Sequence, residues 1–147
     1  MRGSWCPFGS QNTSWQDEAF PLLYLPAYCS FRMTDIWRSF IAQRIGWTND
    51  WGILFHVPTV SQERNQHDLL KDFRDELPGY LHNGEICAAL DHLELRSGVE
   101  NIPDNLRICY DKLVSMKLID RQEMTLLDTW LDDLARVAGH YEAFAAF

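Results

Sequence analysis

Several things are missing from this 147-residue sequence, and each absence removes a class of protein. No stretch approaches the ~18 consecutive apolar residues that a bilayer-spanning helix needs. The apolar run Phe20-Pro-Leu-Leu-Tyr-Leu-Pro-Ala-Tyr28 is short and carries two prolines. The first seven residues do not read as the apolar core of a signal peptide. Basic residues are few: 13 Lys and Arg stand against 21 Asp and Glu, for a formal charge of −8. With no basic stripe, nucleic acid is a poor partner. None of Cys6, Cys29, Cys87 and Cys109 stands in a C-x-x-C pair, which argues against a zinc ribbon or a thioredoxin-type redox motif. Cys87 and Cys109 fall inside apolar helical patterns, where a buried free thiol is the simpler reading. G-x-G-x-x-G and G-x-x-x-x-G-K-[ST] are absent, so there is no dinucleotide fingerprint and no P-loop. G-x-S-x-G is absent too, which leaves a serine hydrolase without its nucleophile turn.

What is present suits a folded domain. Hydrophobic residues make up 46% and aromatic residues 13%, with six Trp, and the length is enough to bury a core. Residues 1–17 are rich in Gly, Ser, Asn and Gln and read as a loop. The Pro-punctuated run 20–29 suits a strand or an extended segment. Thr34 is placed to cap a helix over residues 35–46, stopped by Gly46. Trp51-Gly-Ile-Leu-Phe-His-Val57 reads as a buried strand ended by Pro58. Leu69, Leu70, Phe73 and Leu77 recur at helical spacing until Pro78-Gly79 breaks the pattern. Beyond residue 84 the chain reads as three helices, the last opened by a capping-box-like Asp120-Arg-Gln-Glu123 and closed by Gly139. The expectation is an α/β or α+β fold, with a strand-and-loop part over residues 1–82 and a helical subdomain over 83–147 packed on it.

Three constellations could carry chemistry. In Phe31-Arg-Met-Thr-Asp-Ile-Trp-Arg38, Asp35 lies between Arg32 and Arg38 beside Trp37. Arginines suit diphosphate because they stay charged and donate bidentately, and Asp35 at a helix start is held as an anion by the helix dipole. The competing reading is a solvated helix face on which Asp35 complements the dipole and pairs with Arg38. The segment Pro58-Thr-Val-Ser-Gln-Glu-Arg-Asn-Gln-His-Asp68 presents Gln62, Arg64, His67 and Asp68 directly after the expected strand, where sites in α/β proteins are usually built. His67 and Asp68 could ligate a divalent cation, or the segment could be a polar helix N-terminus. The loop Pro7-Phe-Gly-Ser-Gln-Asn-Thr13 offers backbone amides with the side chains of Gln11 and Asn12 to a sugar or phosphate.

These three stretches, with Ala19-Phe-Pro-Leu-Leu-Tyr-Leu-Pro26, Ala42-Gln-Arg44 and Asp72-Phe-x-x-Glu76, occur in an order that resembles the STELLO-type glycosyltransferase family over about residues 6–135. The resemblance implies the C-terminal half of a GT-A-like domain with a few strands, followed by a helical tail. It implies a nucleotide-sugar donor, a glycan acceptor, a divalent metal (Mn²⁺ or Mg²⁺) and residence in the Golgi lumen. Thr34-Asp-Ile-Trp37 is similar to the Asp-Asp-x-Trp motif of the UDP-arabinopyranose mutase group. That gives Asp35 a catalytic role at an acceptor hydroxyl and Trp37 a sugar face. Arg32, Arg38, Arg64, Gln11 and Asn12 become substrate contacts, and His67 a late metal ligand with Gln62 or Asp68 as alternatives. The D-x-D-like nucleotide-binding half of such an enzyme is not in this sequence, so an N-terminal half or a protein partner is expected to complete the site. The alternative, from a different class, is a non-catalytic helical module of a larger glycan-synthesis protein.

Overall fold

The computed structural model describes residues 3–63 and 66–145, the side chains of 139–145 excepted. Four α-helices carry the fold: α1 (Thr34–Thr48), α2 (Leu69–Asp91), α3 (Ile102–Ser115) and α4 (Glu123–Ala145). Short 3₁₀ turns precede α1 at Asp17–Leu23 and Phe31–Met33 and precede α3 at Val99–Asn101. There is no strand among the described residues, so the expected α/β or α+β fold with a few GT-A-like strands is corrected to an all-helical one.

The expected strand over 51–57 and the strand or extended segment over 20–29 give way for separate reasons. In the run 20–29, Pro21 lies inside the 3₁₀ turn Asp17–Leu23, whose φ it already satisfies, with Asp17 and Glu18 at its positive end. That turn buries Ala19 and Leu22. Residues 51–57 run without secondary structure and have no ladder partner, leaving Leu54, Phe55 and Val57 exposed. Strand-forming side chains do not make a strand unless a neighbour takes their backbone N–H and C=O groups.

Helix α1 is the spine. Nine of its residues are buried, from Trp37 through Gly46, which is the pattern of a helix enclosed on nearly all sides. Helices α2 and α3 pack against it, and α4 packs on α3. The core joins Phe40, Ile41 and Ile45 of α1 to Ile86 and Leu90 of α2, Leu106, Cys109 and Leu113 of α3, and Leu127 and Leu131 of α4. The start of α2 is capped by the Asp68 carboxylate, which accepts from Leu70 N and Lys71 N at 3.1 Å each. Its end is held by Arg44, whose guanidinium reaches Leu90 O at 2.9 Å and Leu93 O at 2.6 Å.

Pro78 and Gly79 do not break α2, which runs through them and across the 82/83 division. Gly79 is buried where α2 crosses the 3₁₀ turn Phe31–Met33, and a Cβ there would stand 2.5 Å from Met33 Sδ. The absent side chain is what lets the two elements approach. The Asp120-Arg-Gln-Glu123 box is only half formed. Asp120 Oδ1 accepts from Gln122 N at 2.8 Å, but the buried Glu123 carboxylate turns away to the Tyr24 hydroxyl and the N–H groups of Ala27 and Tyr28. It thereby ties the chain after the first 3₁₀ turn to the start of α4. Gly139 does not end α4, which continues to Ala145.

Candidate functional site

The expected site residues sort into three groups. The first stands at the α1–α2 junction. Arg32 pairs with Asp72, and His67 Nδ1 lies 3.1 Å from Asp72 Oδ2 and 3.3 Å from an Arg32 nitrogen. The Arg32 hydrogen bond holds the Asp72 carboxyl below the usual carboxylate range, and Arg32 is raised by the same contact. These donors do not fit a divalent cation. Bound between Nδ1 of His67 and Asp72, such an ion would meet the Arg32 guanidinium, and Asp68 already serves as the α2 cap. Gln62 is exposed on the segment leading to α2, and no group of three His, Cys, Asp or Glu side chains arranged for a metal occurs among the described residues. Arg64 lies outside the described residues.

The second group lies beneath the loop of residues 6–15, which folds over the first turns of α1. Ser10 Oγ donates to Asp35 Oδ1 at 2.7 Å. Cys6 N donates to Gln43 Oε1 at 2.9 Å, and the Gln43 amide is itself fixed to Ser39 O. Arg38 is 2% exposed, and its guanidinium lies over the rings of Phe8 and Trp15 at 5.1 and 5.0 Å. None of its three nitrogens has a hydrogen-bond partner. Burial lowers its pKa, opposed by the charge of Asp35 and by Tyr110. Trp37, by contrast, is a core residue, 2% exposed, whose indole N–H donates to Asn83 Oδ1 at 3.0 Å. With its ring enclosed, it offers no face to a sugar.

The third group lies on the other side of the same loop. A cleft of about 900 Å³ opens between the loop, the end of α1 and the segment after it. Gln11 and Asn12 are on its rim, with Thr59 Oγ1 donating to Asn12 Oδ1 at 3.0 Å. Its walls are aromatic: Phe8, Trp15, Trp47, Trp51 and Phe55. Trp47 is braced by Trp5, with ring centroids 4.5 Å apart, and Trp15 by Phe8 at 5.9 Å. Sequence reasoning singled out Gln11 and Asn12 but missed the tryptophans. The available signal was Trp47 and Trp51, four residues apart around the end of the expected helix, with a third tryptophan, Trp15, in the expected loop.

Phe8 and Trp15 therefore form a partition. Both rings lie against the guanidinium of Arg38, and both residues line the cleft, which Arg38 itself does not line. Against known proteins, residues 32–145 match the model of a family described as STELLO glycosyltransferases. The matched stretch holds all four helices with Asp35 and Arg38, while the loop over them precedes it. No curated protein and no solved structure matches the chain.

Proposed function

The chain belongs to the STELLO glycosyltransferase family, and from that premise we propose that this glycosyltransferase-like domain binds a sugar in the cleft between the loop of residues 6–15 and the end of α1. The observation that carries the reading is the lining: Trp15, Trp47 and Trp51 around one cavity, with the carboxamides of Gln11, Asn12 and Gln16 at its edge. Sugars are amphipathic. Their axial C–H faces lie flat on indole, and their hydroxyls need fixed donors and acceptors, which carboxamides supply in both senses. The volume falls within the ~300–1,000 Å³ range of small-ligand sites. The saccharide is read as part of a nucleotide-sugar donor or as the end of a glycan acceptor. The Golgi lumen, implied by the family resemblance, is the compartment proposed with it. Asp35, one oxygen engaged by Ser10, acts in this reading as a holder of the loop. No metal step is proposed through His67, whose surroundings favour a guanidinium.

A second reading is favoured by one feature. Helix α2 exposes Leu69, Leu70, Phe73, Leu77, Tyr80 and Leu81 along a single flank. A stripe of that kind belongs to a helix that docks on a larger body, as in an interaction module of a glycan-synthesis protein. The first reading is tested by calorimetry of the chain with neutral oligosaccharides and nucleotide-sugars. Saturable heat for at least one of them, weakened ten-fold or more by Trp51→Ala with helical content intact, supports it. Absence of heat for all of them, together with stable capture of a partner through α2, supports the second.

A further inference from the structure

The polar side chains around Arg38 are engaged. Asp35 holds Ser10, Ser39 Oγ donates to Ile36 O at 2.7 Å, Gln43 holds Cys6 and Ser39, and Arg44 holds the end of α2. Among the described residues, Arg38 alone has buried side-chain nitrogens with no partner. Burying a guanidinium without a hydrogen-bonded partner is costly, and the cation–π contacts with Phe8 and Trp15 satisfy none of its N–H donors. A purely structural role would be served better by Met or Leu in the same space. What the position provides instead is a fixed fork of five N–H donors with no acceptor, which is the complement of phosphoryl oxygens.

A loop covers this fork. It is a short loop with Gly9 and Ser10 between its two aromatic residues, held to the helical body by side-chain contacts rather than by backbone ladders. Phe8 and Trp15 both contact the guanidinium and line the cleft, whose lining does not include Arg38.

We propose that Arg38 is the receptor for the diphosphate of a nucleotide-sugar whose sugar lies in the cleft. Phe8 and Trp15 are a lid over it, and the Ser10–Asp35 hydrogen bond is the latch that keeps the lid shut in the empty protein. The proposal rests on the sugar-cleft reading for its sugar half, and its anion half is separately testable. Entry of the diphosphate swings the loop outward, exchanges two cation–π contacts for charge-assisted hydrogen bonds, and opens the guanidinium toward the cleft. Asp35, freed from Ser10, remains beside the guanidinium and keeps it oriented.

The test is a tryptophan-fluorescence titration of the whole chain with inorganic pyrophosphate, uridine diphosphate, UDP-glucose and the neutral disaccharide maltose. Wild type should respond to pyrophosphate and to both nucleotides. Arg38→Met should weaken all three responses at least 30-fold and leave any maltose response unchanged. Ser10→Ala, which removes the latch, should tighten pyrophosphate binding roughly three- to ten-fold, because the open state no longer has to be bought from a closed one. Maltose binding without a pyrophosphate response in wild type overturns the anion site and leaves the sugar cleft standing. Pyrophosphate binding without maltose binding supports the anion site and counts against the cleft. Silence to every probe overturns both. A pyrophosphate response of wild-type strength in Arg38→Met, or unchanged or weaker binding in Ser10→Ala, also overturns the proposal. The Ser10 variant keeps the test decisive if the Arg38 variant does not fold.

Discussion

At the scale of single residues, the buried polar and ionisable groups show how little their role follows from their type. Asp35 and Arg38 lie one turn apart on α1, as an exposed ion pair would, yet Asp35 is claimed by Ser10 and Arg38 by two aromatic faces. Glu123 looked like the reciprocal half of a capping box and is instead a buried acceptor for three donors from the chain around Tyr24. Spacing of three or four residues states which groups share a helix face, and it says nothing of the loop that later covers that face. The buried acids of high intrinsic pKa yield a prediction at this scale. Burial pushes the thiols of Cys29 and Cys87 up to about 11 and that of Cys109 up to about 12, from an ordinary 9. Tyr24 is raised as well, by burial first and by its hydrogen bond to Glu123 second. Between the unfolded and folded values the native chain binds more protons than the unfolded one, so stability falls as pH rises. The midpoint of urea unfolding should be level up to about pH 9 and drop steadily from there to about pH 11. A midpoint level across that interval would show that these thiols ionise as freely in the native protein as in the unfolded chain.

At the scale of elements, helices were legible and strands were not. The helices expected over the last part of the chain are there as α3 and α4, and their Leu106, Cys109, Leu113, Leu127 and Leu131 are core residues. Pro78-Gly79 misled because those residues stop helices in isolation, whereas here Gly79 is kept for its close crossing with Met33. Trp51–Val57 misled in the other direction: its composition suits a strand, but pairing is a property of two segments, and only one is present. The metal reading of Asp68 is settled by an element-scale measurement. As the α2 cap, its replacement by Ala should cost about 1 kcal/mol, with the same loss whether or not Mn²⁺ is added. Stabilisation of wild type by Mn²⁺ that vanishes in Asp68→Ala would restore the residue to a metal site.

At the scale of the whole molecule, one loop decides the site. The family resemblance drew Pro7–Thr13 and Phe31–Arg38 together in sequence, and the fold brings them into contact: Ser10 on Asp35, and Phe8 on Arg38. What could not be read in advance is that Trp47 near the end of α1 and Trp51 just beyond it line one cavity with that loop, since the cavity forms only once the loop, the first 3₁₀ turn and the segment after α1 come together. Leu54, Phe55 and Val57 of the segment before α2, and the flank of α2 from Leu69 to Leu81, present large apolar side chains outward. The central claim, that the tryptophan-lined cleft is the sugar site, is reached most directly by the six indole N–H resonances of a ¹⁵N-labelled chain, one for each Trp. On addition of a saccharide or nucleotide-sugar ligand, the signals of Trp15, Trp47 and Trp51 should shift together with one saturation curve. Those of Trp37, bonded to Asn83, and Trp130, bonded to Pro21 O, should stay in place. Six unmoved signals, or movement confined to Trp37 and Trp130, would contradict the account.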